Sequence, residues 1–431
     1  MKILSLIHRY HPAIGGAESH LAAINRRLVA RGHDITVLTS DAAEFPLFWD
    51  PSAARLEEHE GVAEGVRILR FPVQHLPFSK MAFPAMRLIT EQVAHLLPNS
   101  GLVEELTTLT PRLPALRRWL QQTDEPFDLV MGTTITLEGI VRLGVDFARD
   151  RGLPFVVMPL SHLGAGSEPG SDSISHFYTM PQQQQIVLAA DGLIAITPAE
   201  REFYVRRGFA PENSILAPSA PEPQRVAGGD GNRWREQFGV GQTPLVAVVS
   251  ALTKEKGTLH TLAAMRQLWR AGHPIKLVLA GSPMADFEQA VAGLDPAEKE
   301  RLILRGKVSD AERNDLLAAA DVFCMPSLVE SFGIAFTEAM LYKKPVIGAE
   351  VWGVKEFVIR HGENGLLVAP GNTEQLAQQI LQLVQNPDTA RQMGENGFAF
   401  ASGLSWERSV DEIERLLLRL TRTRSETEPS G

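Results

Sequence analysis

The chain has almost no cysteine and no long apolar run. Its one cysteine, Cys324, excludes a disulfide framework and a zinc site built on cysteines. Because it stands in the apolar run 322–325, we expect it to be buried. No apolar run approaches the roughly 20 residues that span a bilayer, and the stretch 3–7 is too short for a signal-peptide core. We therefore expect a cytoplasmic protein that does not cross the membrane.

The sequence also lacks an excess of positive charge. With 42 Lys and Arg against 51 Asp and Glu, the formal net charge is -9, so we expect no nucleic-acid partner. There is no D-x-D motif, and the His and carboxylate residues lack metal-ligand spacing, so we expect neither a metal nor another cofactor. A G-x-G-x-x-G fingerprint is missing too, which argues against a dinucleotide oxidoreductase.

The length of 431 residues suits two domains of about 200 residues each. The first opens with a short apolar strand, the turn Gly15-Gly16 and apolar positions at helical spacing, followed by a second strand. This βαβ pattern predicts a parallel sheet. Further strands are predicted at 127–131, 155–158 and 193–196, whereas the segment 76–120 shows no clear order.

A stretch rich in Pro, Gly and small residues, 217–232, predicts the interdomain linker. After it, strands and helices alternate, with strands predicted at 245–249, 275–279, 302–304, 322–325 and 346–347. The fold class is therefore α/β with two doubly wound domains. The predicted ranges are 1–220, 221–404, a C-terminal helix at 405–422 that packs on the first domain, and a disordered tail at 423–431.

The most informative segment runs from Pro326 to Met340, where a strand passes into a helix. A helix that begins near Gly333 presents unpaired N–H groups and the positive end of its dipole, which suits a diphosphate. Glu330 precedes this helix and Glu338 lies in its second turn, so the two carboxylates can reach different parts of one ligand. Two glutamates eight residues apart also occur by chance on a solvated helix, and it is the surrounding context that favours a site.

With this context the sequence resembles the retaining glycosyltransferases of family 4, which have the GT-B fold. Their E-x7-E motif matches Glu330 and Glu338, and their phosphate-binding backbone matches Phe332, Gly333, Ile334 and Ala335. The likeness covers nearly the whole chain. It includes the first glycine loop at 11–20, the strand region 31–39, Gly353, the turn 362–368, the segment 370–372 and Ser405-Trp406.

The resemblance implies two Rossmann-like domains that face each other across a cleft, and transfer of a sugar with retention from a nucleotide diphosphate donor, as in polysaccharide biosynthesis. The implied acceptor is a glycan, a glycolipid or a small glycoside. Glu330 and His162 would be catalytic, the second domain would bind the donor, and Gly15 and Gly16 would lie beside the acceptor. His20 is the next candidate after His162. Each of these residues also has an ordinary interpretation, as a tight turn, a loop residue or a helix-surface group.

The sequence departs from the family at the donor phosphates. Where the family has V-G-R-L-x-x-x-K-G, this chain keeps the lysine as Lys256 but has Ala251 in place of the arginine. Losing a bidentate cation weakens phosphate binding unless Lys254 or another residue replaces it. The P-N-G at the hinge is Pro218-Ser219-Ala220 here. Two alternatives to a transferase therefore stay open: a sugar-nucleotide epimerase of the same fold, and a non-catalytic sugar-nucleotide-binding protein.

The segment 78–120 has two interpretations. It carries basic residues among apolar ones, so it could contact a membrane surface or a lipid-linked acceptor at the inner face of the membrane. The interpretation as ordinary helix of the first domain is favoured.

Overall fold

The computed structural model describes residues 1–13, 15–222 and 224–427. Ile14 of the glycine loop, Pro223 of the linker and residues 428–431 of the predicted tail lie outside the described residues. The chain forms two compact units. The first contains residues 1–161, 176–218 and the C-terminal helix from Trp406, and the second contains 162–175 and 219–405.

The first unit is built on an eight-stranded sheet in which neighbouring strands pair in parallel, except for β3, which runs antiparallel to β4. Its strands are β1 (Lys2–Leu6), β2 (Asp34–Ser40), β3 (Glu60–Ala63), β4 (Val66–Phe71), β5 (Leu129–Thr133), β6 (Phe155–Met158), β7 (Gly192–Ala195) and β8 (Ser214–Leu216). Their order across the sheet is β3-β4-β2-β1-β5-β6-β7-β8. The βαβ start was predicted correctly, whereas β3, β4 and β8 were missed. Strands β3 and β8 are short and lie at the two edges of the sheet, whereas β4 has six residues and lies inside it.

The helices of the first unit cover the sheet and also fill the segment that showed no clear order in the sequence. They are α1 (Gly16–Ala30), α2 (Ser79–Leu96), α3 (Gly101–Thr107), α4 (Pro114–Gln122), α5 (Glu138–Asp150), α6 (Pro181–Leu188) and α7 (Pro198–Val205). Residues 76–120 thus hold α2, α3 and most of α4. Their pattern was hard to interpret because α2 buries polar residues and exposes apolar ones.

The second unit has a parallel six-stranded sheet. In chain order its elements are α8 (Gly231–Gln237), β9 (Leu245–Val249), α9 (Thr258–Arg270), β10 (Lys276–Ala280), α10 (Ala285–Ala292), α11 (Pro296–Glu300), β11 (Leu302–Gly306), α12 (Asp310–Ala319), β12 (Val322–Met325), α13 (Ile334–Leu341), β13 (Val346–Ala349), β14 (Gly365–Val368), α14 (Thr373–Gln385) and α15 (Pro387–Gly403). The five strands predicted for this domain are all present, and the sequence pattern did not predict β14. Cys324 is buried in β12, as expected.

Both faces of the second sheet are buried. Along β9, Val246 and Val248 join one hydrophobic cluster with α9 and α14, while Leu245 and Ala247 join another with α8 and α12. Side chains of a strand point alternately to opposite faces, so a strand that is apolar at every position needs cover on both sides. The continuous apolar runs in the sequence reflect this two-sided burial.

The C-terminal helix α16 (Trp406–Thr427) packs on α1, β7 and β8 of the first unit. Its apolar face is buried, and Arg31 at the end of α1 forms ion pairs with Glu407, Asp411 and Glu414. The helix extends through residues 423–427, which the sequence placed in a disordered tail. The prediction was wrong there because a polar composition does not by itself end a helix.

Each sheet has one point where the chain reverses the direction in which it adds strands. In the first unit β1 lies between β2 and β5, and in the second unit β9 lies between β10 and β12. In open parallel sheets, ligands bind outside the carboxyl ends of the strands at such switch points. The loops that follow these strands are therefore where a site is expected.

Candidate functional site

The switch point of the second unit brings two loops together, 250–257 after β9 and 326–333 after β12. The N–H of Leu328 donates to the carbonyl of Glu255 at 2.7 Å. Gly257, with φ of +73°, lies so close to the other loop that a Cβ here would be 2.2 Å from the carbonyl oxygen of Pro326. Glycine is thus required both for the backbone conformation and for the close approach of the loops.

Between these loops Glu330 and Lys256 form an ion pair. Nζ of Lys256 donates to Oε2 of Glu330 at 2.8 Å, and the Glu330 side chain is only 10% exposed. Burial raises the pKa of Glu330, but the charge and hydrogen bond of Lys256, the charge of His162 and the N–H of Phe332 lower it by more. The pKa therefore lies below the usual value, and Glu330 is a carboxylate at neutral pH.

His162 contacts the same carboxylate region, and it does so as part of the second unit. Its ring is hydrogen-bonded to the backbone of Glu330, and burial lowers its pKa to about 4, so the imidazole is neutral at pH 7. The segment 162–175 is held by Trp352, whose backbone N–H and indole Nε1 donate to the carbonyls of Gly164 and Gly166 at 2.8 and 2.9 Å. The sequence placed His162 with the first domain, whereas in the structure the segment leaves the first sheet after β6 and is grouped with the second compact unit.

The first turn of α13 lies beside this ion pair. Gly333 precedes the helix with φ of +85°, where a Cβ would meet the ring of Phe336 at 2.5 Å. Ile334 and Ala335 are partly exposed, and their N–H groups belong to the helix end that has no intrahelical acceptors. The Phe332 side chain is buried against Phe357, so it is the backbone here that can face an anion.

Glu338 lies further along α13, within a cluster of charged groups. Nη1 of Arg313 is 3.5 Å from Oε1 of Glu338 and 3.1 Å from Oδ1 of Asp310, and Asp310 also binds Arg225 of the linker. Burial raises the pKa of Glu338, although Arg313 and Arg225 act in the opposite direction. Glu330 and Glu338 thus occupy different electrostatic surroundings within one helix-start motif.

Two further candidate positions lie in the loop after β9 and are open to solvent. Ala251 and Lys254 are both exposed, and the charge of Lys254 contributes to lowering the pKa of His260, after the larger effect of burial. An exposed alanine leaves space for a larger side chain. Lys254 is thus an exposed cation three residues after the position where the family has an arginine.

At the switch point of the first unit, Gly15 and Gly16 begin α1. Gly15 caps the helix in an extended conformation, and a Cβ on it would lie 2.2 Å from a carboxylate oxygen of Glu18. Glu18 is itself held by Arg9, with Nη2 to Oε1 at 2.7 Å, and lies 3.7 Å from Nε2 of His8. Burial lowers the pKa of His8 to about 4.

His20 does not belong to this group. Its side chain is buried against Trp406 of α16, with ring centroids 4.9 Å apart, and burial lowers its pKa to about 3. The sequence suggested a helix-surface group that could face an acceptor. The helix turns this residue toward α16 instead, so we leave His20 out of the proposed site.

Several neighbours of the candidate residues were not found by sequence reasoning. Arg313 and Asp310 share one face of α12, which an i, i+3 pattern could have indicated. Arg225 stands in the linker, where no local pattern marks it. His8 and Arg9 lie in the loop that follows β1. Because loops after strands at a switch point commonly bind ligands, the position of these residues could have marked them as candidates.

Among the residues that the structure describes, no helix combines the length and the apolar character needed to cross a membrane. The same residues contain no group of three or more His, Cys, Asp or Glu side chains that could hold a metal ion. The expectation that no metal takes part stays a prediction.

Known proteins similar to this chain are glycosyltransferases. It is 26% identical to an alpha-D-kanosaminyltransferase of Streptomyces kanamyceticus over 50% of the chain, which covers 56% of that protein. It is 24% identical to the MMP alpha-(1->4)-mannosyltransferase of Mycolicibacterium hassiacum over 92% of both. A crystal structure of Anabaena HepE in complex with UDP and glucose matches 97% of the chain and 99% of that protein at 20% identity and a TM-score of 0.66.

Two family models together cover nearly the whole chain. The model described as glycosyl transferase 4-like domain matches residues 15–220, and the model described as glycosyl transferases group 1 matches residues 230–417. The second match contains Lys256, Glu330 and Glu338, and the first contains Gly15 and Gly16. The chain therefore belongs to the family 4-type glycosyltransferases, which have the GT-B fold.

Proposed function

We propose that the chain transfers a sugar from a nucleotide diphosphate donor to a carbohydrate or lipid-linked acceptor, with retention of configuration and without a metal. The observation that carries this proposal is the Lys256–Glu330 ion pair beside the start of α13 at the switch point of the second sheet. An ammonium and a helix N-terminus suit a diphosphate, and an adjacent carboxylate suits sugar hydroxyls. Membership of the family supports the same assignment.

In this proposal the diphosphate binds to Lys256, Lys254 and the backbone of Phe332, Gly333, Ile334 and Ala335. Glu338 accepts hydrogen bonds from the ribose, while Glu330 contacts the transferred sugar. His162, being neutral, serves as a hydrogen-bonding group for that sugar. The acceptor binds to the first unit near Gly15 and Gly16.

The reaction breaks the bond between the anomeric carbon and the diphosphate and forms a bond from an acceptor hydroxyl oxygen to that carbon. The hydroxyl proton passes to the departing diphosphate. Positive charge from Lys256 and the helix dipole stabilises the negative charge that develops on the leaving group, which is the contribution expected of preorganised dipoles. No covalent enzyme intermediate is needed.

The Ala251 position favours a second candidate, a protein that binds sugar nucleotides without turning them over. Calorimetry with UDP, GDP and ADP and a transfer assay with their sugar conjugates separate the candidates, and UDP-glucose is the first donor to test because a solved neighbour holds UDP and glucose. Binding with transfer supports the proposal, and binding without turnover supports the second candidate. Conversion of the donor sugar without acceptor indicates an epimerase. If no nucleotide binds at millimolar concentration, the proposal fails.

We also propose a cytoplasmic location with contact at the inner face of the membrane. The lone cysteine, buried in β12, is compatible with a reducing compartment. The membrane contact is supported by the surface of α2.

A further inference from the structure

Helix α2 has its amphipathic pattern reversed. Apolar side chains on its outer side are exposed, with Leu96 79% and Met81 69% accessible to solvent and Leu88 and Ile89 about half exposed. Phe78, which precedes the helix, is 81% exposed. Between residues 81 and 97 the exposed positions carry no Asp, Glu, Lys or Arg. A soluble helix ordinarily shows the opposite distribution.

The inner side of α2 is polar, and its charges are paired. Nη1 of Arg87 is 2.9 Å from Oε2 of Glu138, a carboxylate that is 1% exposed and also accepts hydrogen bonds from Gln182 and Gln183. One turn later, the buried Glu91 binds Nε2 of His176 at 2.9 Å. Breaking a buried ion pair is costly, so these contacts hold the helix in one rotational position. The apolar side is thereby fixed toward the outside.

The inner side of α2 also packs on the loops at the switch point of the first sheet. Phe83 of α2 contacts Trp49, with ring centroids 6.0 Å apart, and Trp49 contacts Phe45 at 5.5 Å. Phe45 in turn lies 5.5 Å from the ring of His8, next to Glu18 and the glycine loop. The hydroxyl of Ser79 donates to the carbonyl of Trp49 at 2.7 Å, which fixes the start of α2 on this loop. A chain of ring contacts therefore fixes the start of α2 next to the glycine loop.

We propose that the outer face of α2 docks on a lipid surface, so that the acceptor is carried there on a hydrocarbon chain. The part of this proposal that concerns the acceptor rests on the proposed function. An 18-residue helix is about 27 Å long and can lie in the plane of a bilayer interface with its apolar face among the acyl chains. Between residues 81 and 97 this face carries apolar residues with Gln92 and His95 and no Asp, Glu, Lys or Arg, which fits a bilayer interface better than a second protein, whose interface would bring arginine anchors and a charged rim.

The test is co-sedimentation of the full chain with vesicles of phosphatidylcholine, alone or with a minority of phosphatidylglycerol. The variant carries Leu88→Gln and Ile89→Gln. A matched control carries Val62→Gln and Leu304→Gln, two apolar residues that are also exposed but lie on β3 and β11. Calorimetry with UDP is run on all three proteins, because it reports on folding and on the donor site independently of lipid.

The wild type and the control should bind both kinds of vesicle, and the α2 variant should bind at least about tenfold more weakly, since it loses two inserted aliphatic side chains. UDP binding should be equal in all three. The proposal is overturned if the wild type does not bind, or if the α2 variant binds like the control. It is also overturned if binding needs phosphatidylglycerol, or if the face instead mediates a dimer, seen by ultracentrifugation, that the variant breaks. Absence of UDP binding with intact vesicle binding would count against the donor site alone.

Discussion

Glu330 is a buried carboxylate whose charge is balanced by Lys256 at 2.8 Å. Replacing it by Gln removes the negative charge and releases the ammonium for the donor phosphates. We expect Glu330→Gln to lower the rate of transfer about ten- to a hundredfold, which corresponds to the loss of one hydrogen bond to a charged group. UDP should bind to the variant at least as tightly as to the wild type. Calorimetry and a transfer assay measure the two effects, and an equal loss of both would contradict the assignment.

Ala251 is exposed, so an arginine at this position can extend without displacing core residues. If Lys256 and the start of α13 hold the diphosphate, Ala251→Arg should tighten donor binding about tenfold or more. Lys254→Ala is the companion variant and should weaken binding if Lys254 already acts as the second cation. When neither change alters the dissociation constant of UDP, the phosphate site lies elsewhere.

Arg313 positions Glu338 and also favours its ionised form. Burial raises the pKa of Glu338, so nucleotide affinity should fall as the pH drops through that raised value, because the protonated carboxyl accepts fewer hydrogen bonds from ribose. Arg313→Met removes a nearby positive charge and should raise the pKa further, so the loss of affinity begins at higher pH. In this variant Arg225 still lowers the pKa of Glu338 and Asp310 still raises it.

The control for this change is Arg360→Met, an exposed arginine that pairs with Glu363. Its pH profile of UDP affinity should match the wild type. If the UDP affinity of Arg313→Met is lower than that of the wild type by the same factor at every pH, the arginine has a structural role and does not act on the pKa of Glu338.

At the scale of elements, α9 offers a matched pair of glycines with positive φ. Gly257 at its start contacts the Pro326 loop, whereas Gly272 just after its end, with φ of +86°, has open space around it. An alanine at either position strains the backbone by about 1–2 kcal/mol. Only Gly257→Ala should also weaken UDP binding, because the added Cβ separates the two loops of the site. Denaturant unfolding and calorimetry compare them, and equal binding by both variants would refute the role of this contact.

At the scale of the whole molecule, buried neutral histidines make the fold sensitive to acid. Burial lowers the pKa of His20 to about 3, against about 6.5 in an unfolded chain, so the unfolded state binds more protons between these values. The stabilisation is complete above about pH 6.5 and is lost as the pH falls toward 3. Each pH unit within this window costs about 1.4 kcal/mol per histidine.

His20→Phe should reduce this acid sensitivity, because phenylalanine keeps a ring against Trp406 and cannot be protonated. Thermal melts are recorded between pH 7 and pH 4. Over this range the Tm of the variant should fall less steeply than the Tm of the wild type. If the two curves have the same slope, burial of His20 does not lower its pKa in the folded protein.

Much of the architecture could be predicted from local pattern. The strands of the second unit are apolar at nearly every position because both faces of their sheet are covered, and such runs are recognisable without any tertiary information. Glu330, Gly333 and Glu338 stand close together in the chain, so a strand–loop–helix motif already determines their approximate arrangement. The resemblance to a family extended this to the whole chain, and the fold class was confirmed.

The tertiary structure alone decided which distant residues meet. Lys256 and Glu330 are 74 positions apart and become partners because β9 and β12 are neighbours at a switch point. His162 is grouped with the second unit because Trp352 binds the segment that contains it. The polar side of α2 faces inward because Arg87 pairs with the buried Glu138. The sequence shows where polar and apolar residues alternate, but many strand orders and helix rotations are compatible with the same pattern. Which of them forms depends on the summed packing and pairing of the whole molecule, and that information is not contained in any single segment.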